Sequence, residues 1–406
     1  MKSFPPIYLI TPWFGTFAGG GGRTFSTLAK LFTRCGIDTT VLTTCSRSPY
    51  EDWRTVTVPP GQFEVDGVKA IRFKVDQANA DRYHAAVSAR LRGFVVSEDL
   101  QEAFYELGLN SQALIDHVAT LPHDSIIVAG HYFQSLVPSA INAHPGRIFA
   151  IPAFHDEPEF YWRPIARMVN NARKILFLSE EEKDLAIRAY GPTGGRKVIE
   201  APVVGLGVDL SRDISAVLKD KSALTRTLSR FDLPNMYLVY VGRIEGGKGL
   251  SYLMPWIDSF NARRTANGKF PIPLLLIGSG PPDVVPSSPF LRVLGYLAEE
   301  DKVAVMSGAI ALVNPSMLES FSYVVMEAWL AGIAVLVPTS CAVTSGHVYR
   351  CNGGIVFENE KAFCDGIEAL LDRDTRSEMA SRGRRYVQAN FRWPDVTDRI
   401  LRAILQ

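Results

Sequence analysis

The stretch AIALVNPSMLESFSYVVMEAWLAGIAVLVP, residues 309–338, has the pattern strand, loop, helix, strand. The apolar run Ala309–Val313 predicts a short strand, which a polar, proline-containing loop ends. The spacing of apolar residues predicts a helix from about Ser322 to Ala331, and the run Ile333–Val337 predicts the next buried strand. Because a strand–helix–strand unit is typical of a parallel sheet, this stretch predicts an α/β fold.

Two carboxylates of this stretch, Glu319 and Glu327, are eight positions apart and flank the predicted start of the helix. A helix N-terminus offers unpaired backbone N–H groups and the positive end of a dipole, which suit a phosphate. Carboxylates accept hydrogen bonds from hydroxyls, so the pair suits a ligand with a sugar at one end and a ribose at the other. The spacing is equally compatible with two solvated glutamates.

The run PSMLESFSYVVMEAWLAGIAVL resembles the Glu, seven residues, Glu signature of the retaining GT-B glycosyltransferases of family 4. The resemblance implies that Glu319 contacts the hydroxyls of the donor sugar and that Glu327 binds the ribose of the nucleotide. It also implies that backbone amides from Ser320 and Phe321 to the helix entry at Ser322 hold the diphosphate. Ser322 stands where the family usually has Gly, and a seryl side chain crowds a tight helix entry slightly.

The composition is that of an ordinary globular protein, with 47% hydrophobic residues, and a chain of 406 residues suffices for two domains. The 43 Lys and Arg balance 42 Asp and Glu, so we expect no nucleic-acid partner. The cysteines form no CxxC pair, which favours neither a zinc ribbon nor a disulfide framework. The first apolar run is too short for a signal peptide, and no stretch is apolar enough to span a bilayer, so we expect a cytoplasmic protein.

A glycine block, Gly19–Gly22, opens the first predicted βαβ unit. A strand over Ile7–Thr11 precedes the block, and a helix over Thr24–Cys35 and a strand over Ile37–Thr43 follow it. Glycines before a helix permit close approach of a phosphate or substrate, and a flexible surface turn is the alternative.

A nicotinamide dinucleotide is the obvious rival ligand for this loop. A Rossmann nicotinamide site needs an acidic residue at the end of the second strand, but here Thr43, Thr44 and Cys45 end it, so we disfavour NAD. The pattern instead resembles the opening of family 4 glycosyltransferases, whose glycine-rich loop faces the donor diphosphate and the acceptor. That resemblance implies donor contacts at Gly21 and Gly22.

Residues 51–125 are the least informative part of the chain. Short antiparallel strands are predicted over Val56–Pro59, Phe63–Val65 and Val68–Phe73, followed by mostly helical spacing from Arg82 to Leu121. Two segments combine basic and aromatic residues, for which we expect solvated helix faces, with contact to an anionic acceptor or to the inner face of a membrane as the alternative. These residues are Arg82, Tyr83, Arg90, Arg92 and Phe94, and then Arg163, Arg167, Arg173 and Lys174.

Three further strands, Ser125–Ala129, Arg147–Ile151 and Lys174–Leu178, alternate with helices and predict a parallel sheet whose strand ends meet in a crevice. Two histidines, His131 and His155, follow such strands. We expect a packed or surface role for His131.

The context PAFHDEP resembles the catalytic histidine of the family, which implies that His155 acts against the donor sugar and phosphates. Asp156, Glu157 and Glu159 follow closely. GT-B enzymes do not use the metal-binding DxD of the other glycosyltransferase class, so we expect these three to be surface or acceptor-facing residues rather than metal ligands.

A strong strand, Tyr237–Val241, is followed by GRIEGGKGL, in which Arg243 and Lys248 flank a glycine turn. Cations at that place neutralise a diphosphate leaving group, and a basic surface turn is the alternative. The family has an Arg and a Lys there for that purpose, which implies a catalytic and donor-binding role for both. Its base-binding loop matches Gly295–Leu297, which implies that Tyr296 lies near the base.

The resemblance implies a GT-B fold, in which two Rossmann-like domains with parallel sheets face a central cleft. We predict an acceptor-binding domain over residues 1–205, a nucleotide-sugar-binding domain over 206–389, and a tail, about 390–406, that packs back on the first domain. The implied activity is a metal-independent hexosyl transfer, with retention and without a cofactor, from a nucleotide diphosphate sugar to a glycan, glycolipid or small molecule. Cell-surface polysaccharide or glycolipid synthesis is the expected setting.

Two alternatives to a transferase remain. A sugar-nucleotide epimerase or hydrolase on the same fold would consume the donor without an acceptor. A non-catalytic sugar-nucleotide-binding protein would keep the phosphate ligands without turnover.

Overall fold

Two predominantly parallel sheets organise the chain in the computed structural model. The structure describes residues 4–15, 20–48, 52–54, 58–76, 80–209, 218, 220–281 and 284–406. The chain divides into two compact units, one made of Met1–Leu206 with Val396–Gln406 and the other of Gly207–Asp395.

The N-terminal unit contains a seven-stranded sheet with the strand order β3-β4-β2-β1-β5-β6-β7. Neighbouring strands are parallel except for the edge pair β3 and β4, which forms the predicted antiparallel hairpin. The strands are β1 (Ile7–Ile10), β2 (Thr39–Thr44), β3 (Gly61–Val65), β4 (Val68–Phe73), β5 (Ile126–Ala129), β6 (Ile148–Ala150) and β7 (Lys174–Ile175).

The helices of this unit accompany a sheet whose central strands are apolar and largely buried, as is typical of parallel sheets. They span Gly20–Arg34, Ala80–Leu91, Glu98–Leu107, Gln112–Thr120, Leu136–Ala143, Arg163–Asn171, Glu180–Ile199 and Trp393–Leu405, with a short 3-10 turn at Pro158–Tyr161. In the last helix, Arg399 donates to the Val204 carbonyl over 3.0 Å, and Ala403 accepts from Lys174 over 2.9 Å. These contacts hold the C-terminal tail within the N-terminal unit.

Two predictions for this unit are wrong in detail. The first helix begins at Gly20 rather than at Thr24, so Gly21 and Gly22 form its first turn instead of a loop before it. The predicted strand Lys174–Leu178 ends at Ile175, because the chain then turns to pair Phe177 with Val203. The first two residues of the predicted strand Val56–Pro59 lie outside the described residues.

The C-terminal unit contains a six-stranded, wholly parallel sheet with the order β10-β9-β8-β11-β12-β13. The strands are β8 (Leu238–Val241), β9 (Leu274–Ile277), β10 (Leu291–Gly295), β11 (Ala311–Val313), β12 (Ala334–Pro338) and β13 (Gly354–Phe357). The helices are Lys221–Ser229, Leu250–Ala266, Glu299–Gly308, Tyr323–Ala331, Ala342–Cys351, Glu360–Leu371 and Arg373–Asn390, and a 3-10 turn covers Gly246–Lys248.

The strand order of the second sheet reverses between β8 and β11. The chain builds outward from β8 through β9 to β10 on one side, and from β11 through β12 to β13 on the other. Ligands of open parallel sheets bind at such a reversal, beyond the carboxyl ends of the strands, because the loops leave in opposite directions and open a crevice. The loops after β8 and β11 carry the glycine turn and the first glutamate singled out above.

Within the described ranges, no helix is long and apolar enough to cross a membrane.

Candidate active site

The loop after β8 approaches the loop after β11 through a glycine. Gly249 has φ of 79°, and a Cβ atom there would lie 2.3 Å from the carbonyl oxygen of Pro315. Only a glycine fits, both for this left-handed backbone and for this contact. The hydroxyl of Tyr252 also donates to the Pro315 carbonyl over 2.6 Å. The two loops are thereby fixed against each other.

This contact places Lys248 beside Glu319. The Nζ atom of Lys248 lies 3.1 Å from Oε1 of Glu319 and 3.4 Å from Oγ of Ser316. Both charged side chains are mostly buried but keep a solvent-facing edge, so a ligand can reach them. The structure therefore brings together two of the four predicted catalytic residues.

Arg243 also follows β8, but its side chain is directed toward Glu245 rather than toward Glu319. Its side chain is half exposed, and Nη1 lies 2.9 Å from Oε2 of Glu245. The backbone on either side is fixed, because Gly242 donates to Ile277 and Ile244 donates to Ser279. Arg243 is thus a solvent-accessible cation on a fixed turn at the carboxyl edge of the sheet.

The helix Tyr323–Ala331 begins at a residue with strained backbone. Ser322 has φ of 67° and ψ of 80°, in the left-handed region that favours glycine. Its Oγ accepts a hydrogen bond of 3.0 Å from Nδ2 of Asn314, whose Oδ1 accepts from the backbone N–H of Ser316. This left-handed backbone explains why the resembled family usually has glycine at the position of Ser322. The hydrogen bond from Asn314 holds the serine in this conformation.

The side chain of Ser322, the residue before this helix, does not cap the first turn. The side chain of Phe321 is fully buried and packs against Phe391, with ring centroids 5.1 Å apart. Any donor contact of Phe321 is therefore a backbone contact, and Ser320, which is partly exposed, lies beside it.

Glu327 lies on the second turn and is almost fully buried, with 5% of its side chain exposed. Its Oε2 lies 2.9 Å from Nζ of Lys302, which also lies 2.8 Å from Oε1 of Glu299. Sequence reasoning missed Lys302. The i,i+3 spacing to Glu299 was a visible signal for one pair, but no local pattern indicates the contact with Glu327, 25 positions away.

Tyr296 follows Gly295, the last residue of β10, where φ of 75° turns the chain. Its side chain is 87% exposed. Contact with a base stays a prediction.

In the N-terminal unit, His155 lies beyond β6 on a loop held by a buried carboxyl group. Oε1 of Glu182 accepts from the N–H of Phe154 over 2.7 Å, and Oε2 accepts from the N–H of Leu178 over 2.5 Å. Burial raises the pKa of Glu182 to about 8, against the opposing effect of these hydrogen bonds. The imidazole itself is about one-third exposed, and its Nδ1 lies 3.4 Å from Oε1 of Glu157.

The expectation that Glu159 faces the surface or the acceptor is wrong, and Glu157 is largely withdrawn from solvent. Glu159 is fully buried and forms an ion pair with Arg90, and the side chain of Glu157 is 9% exposed. Buried carboxylates require partners, and Arg90 turns inward to supply one, so it is not part of a solvated face. Only Asp156 is exposed, where it accepts a hydrogen bond from Tyr161.

Two further residues of the predicted basic segments form ion pairs at the surface. Arg163 pairs with Glu98, and Arg167 lies 2.5 Å from Glu102. Burial lowers the pKa of His131 to about 4, and its ring packs edge-on against Phe25, as a packed histidine should. In the part of the chain that the structure describes, no group of three or more potential metal ligands forms a site.

Comparison with protein families gives a match within the C-terminal unit. Residues 235–373 match the family model described as Glycosyl transferases group 1. This range contains all of the sheet β8–β13 and the residues Arg243, Lys248, Glu319 and Glu327. The match is to that broad group. Among curated proteins, no sequence matches the chain.

Solved structures resemble nearly the whole chain. The Escherichia coli trehalose-6-phosphate protein bound with UDP-2-fluoro glucose superposes with a TM-score of 0.71 at 12% identity, over 98% of both chains. Sucrose-phosphate synthase from Thermosynechococcus elongatus gives 0.63 at 17% identity, over 98% of both. The UDP-forming α,α-trehalose-phosphate synthase from Burkholderia xenovorans in complex with glucose-6-phosphate gives 0.72 at 12%, over 98% of this chain and all of that one. The predicted GT-B fold with two Rossmann-like domains is confirmed.

Proposed function

We propose that this protein is a retaining glycosyltransferase, which moves a sugar from a nucleotide diphosphate sugar to an acceptor hydroxyl. The observation that carries the proposal is the arrangement of charge around the N-terminus of the helix Tyr323–Ala331. Glu319 precedes this helix and pairs with Lys248, and Glu327 lies on its second turn and pairs with Lys302. The match of residues 235–373 to glycosyl transferases group 1 supports the same reading.

In this proposal the diphosphate lies at the first turn of the helix Tyr323–Ala331, where backbone N–H groups and the helix dipole favour an anion. Lys248 and Arg243 supply the positive charge that the departing diphosphate needs as its bond to the sugar breaks. Because these groups can carry out the stabilisation without a metal ion, we propose metal-independent transfer.

Donor binding also changes the partners of the carboxylates. A sugar hydroxyl donates to Glu319 while Lys248 turns toward the phosphate, and the ribose hydroxyls donate to Glu327, which keeps Lys302. Tyr296 is accessible for contact with the base, and the helix start at Gly21 and Gly22 and the imidazole of His155 are the proposed contributions of the N-terminal unit. A neighbour of the same fold holds UDP-2-fluoro glucose, which supports a nucleotide sugar as donor.

The acceptor is proposed as a glycan, a glycolipid or a small molecule, with cell-surface polysaccharide or glycolipid synthesis as the setting. The complex of a neighbour with glucose-6-phosphate supports a small hydroxylated acceptor as one of these classes. Family 4 membership and peripheral contact with the inner face of a membrane are part of the same proposal.

The test is ligand-induced stabilisation by UDP, GDP, ADP, dTDP, CDP and their common sugar conjugates, without added metal. A nucleotide that binds only the folded state and is present at a concentration of 100 times its Kd should stabilise the protein by about 2.7 kcal/mol. We expect one base to be selected and the shift to be lost in Arg243→Ala. Transfer to a carbohydrate acceptor, with the anomeric configuration of the product read by NMR, then separates a retaining transferase from a hydrolase, an epimerase or a binding protein. No response to any nucleotide would contradict the proposal.

A further inference from the structure

A chain of buried polar side chains lies behind His155. Its members come from three separate parts of the N-terminal unit: Arg90 near the end of the helix Ala80–Leu91, Tyr132 after β5, and the acidic residues that follow His155. They are in direct contact with one another. Buried polar networks cost stability unless each member is paired, so such a chain needs an explanation.

The carboxylate of Glu157 is the centre of this chain. Its Oε1 accepts a hydrogen bond from the hydroxyl of Tyr132 and lies 3.4 Å from Nδ1 of His155. Its Oε2 faces the guanidinium of Arg90 at 3.9 Å. Burial alone raises the pKa of Glu157, but hydrogen bonds from His155 and Tyr132 and the charge of Arg90 outweigh it, and the net shift of the pKa is downward.

Arg90 does not neutralise Glu157 by itself, because it is shared. Its Nε contacts Glu159, which is fully buried and therefore requires a cation. One guanidinium thus serves two carboxylates, and the charge on Glu157 stays available to the imidazole.

The geometry points to Glu157 as the positioning residue of His155, which keeps a proton on Nδ1 and leaves Nε2 as the nitrogen that meets the ligand. A deprotonated Nδ1 would face a carboxylate oxygen with its own lone pair at 3.4 Å, and that arrangement is repulsive. When the ring is neutral, Nε2 therefore carries the lone pair. The consequence for sugar transfer rests on the proposed function, but the protonation pattern does not.

Glu157→Gln should reverse this pattern. The amide of the glutamine has one oxygen and one NH2 group, and Arg90 attracts the oxygen to the place of Oε2. The hydroxyl of Tyr132, which can accept as well as donate, then accepts one hydrogen bond from the NH2 group at the place of Oε1. The second N–H of that group donates to Nδ1 of His155, so the neutral ring must carry its proton on Nε2. Asp156→Asn is the matched control, because Asp156 is the adjacent carboxylate but is exposed and bonded to Tyr161.

The experiment is ¹⁵N NMR of the whole protein labelled at histidine nitrogens, through a titration from about pH 6 to about pH 9. The signals of His155 are assigned by their loss in His155→Gln. We expect the neutral ring to be protonated at Nδ1 in the wild type and in Asp156→Asn, and at Nε2 in Glu157→Gln. A wild-type ring protonated at Nε2, or a ring unchanged by Glu157→Gln, would overturn the inference.

A second variant covers the case that Glu157→Gln does not fold. Tyr132→Phe removes one hydrogen bond to Glu157 but keeps its charge, so Nδ1 should stay protonated while His155 loses part of its ordering. In a transfer assay, Glu157→Gln should act about 10- to 100-fold more slowly, by analogy with the loss that follows when groups that orient a metal-bound histidine are removed. If the NMR pattern holds and no sugar is transferred by the wild type, the proposed function fails and this inference stands.

Discussion

The Nζ atom of Lys248 lies 3.1 Å from Oε1 of Glu319, although the two residues are 71 positions apart in the chain. The loops that carry them leave β8 and β11, the two strands between which the sheet reverses its order. A cation and a carboxylate therefore meet at the place where parallel sheets bind their ligands.

Lys248→Ala should lower the rate of sugar transfer about a hundredfold, because it removes one donor that stabilises the departing diphosphate. Arg243→Ala should have a similar effect on rate. The matched control is Lys361→Ala, because Lys361 also pairs with a carboxylate, Asp365, but on an exposed helix surface. Steady-state kinetics of sugar transfer by the three variants and the wild type measure these effects. Unchanged turnover in both Lys248→Ala and Arg243→Ala would contradict the diphosphate assignment.

Lys302→Met should destabilise the protein by about 3 kcal/mol, because it leaves Glu327 buried without its cation. It should also weaken nucleotide binding, since Lys302 orients the carboxylate proposed to bind the ribose. Urea unfolding and calorimetric titration with the selected nucleotide measure the two effects. Glu299→Gln removes only the exposed partner of Lys302 and should cost less than about 1 kcal/mol. Equal losses in both variants would show that the buried pair has no special role.

Glu327→Ala should weaken binding of ribonucleotides more than binding of their 2′-deoxy analogues. The carboxylate is proposed to accept from ribose hydroxyls, and one hydrogen bond to a charged group contributes about 1.5–3 kcal/mol. Calorimetry on the nucleoside diphosphate and on its 2′-deoxy form, each with wild type and variant, gives the coupling free energy between Glu327 and the 2′-hydroxyl. An equal loss for the two ligands would place the ribose elsewhere.

Ser322→Gly should be more stable than Ser322→Ala by about 1 kcal/mol. Both variants lose the hydrogen bond from Asn314, but only glycine adopts φ of 67° without a steric penalty. Thermal or urea unfolding of the two variants isolates the backbone effect. If the alanine variant is the more stable one, the left-handed conformation at this position is wrong.

His347 should make the protein sensitive to mild acid. Burial and the neighbouring Arg350 lower its pKa to about 3 from an ordinary value of 6.5. The unfolded chain then binds a proton that the folded one does not, so stability is full above pH 6.5 and declines as the pH falls toward 3. At about pH 5 the cost is about 2 kcal/mol.

His347→Asn tests this linkage, because asparagine can accept the bonds from Tyr386 and Arg350 but does not titrate. Urea unfolding near pH 7 and near pH 5 should show a smaller loss in the variant than in the wild type. Equal losses would assign the acid sensitivity to other groups. The residue matters to the site because its ring packs on Phe321, 5.7 Å away.

Much of the second unit could be predicted from local patterns. The strands β11 and β12 and the helix between them lie within two residues of their predicted ends, because apolar runs and glycine stops act over short distances. The GT-B fold followed from the signature around Glu319 and Glu327. The start of the first helix was predicted too far along the chain, because a block of glycines is typical of a loop. In the structure the helix begins within that block.

The sequence by itself determined the α/β class, the succession of strands and helices, and the candidate residues at the strand ends, because these depend on periodicity and on residue type. Only the tertiary structure decided which charges meet. Lys302 reaches Glu327, Arg90 turns inward to Glu159, and Glu157 lies behind His155 because sheet order and helix packing bring distant segments together. Burial then forces each carboxylate to find a partner, and a local pattern holds no information about which one that is.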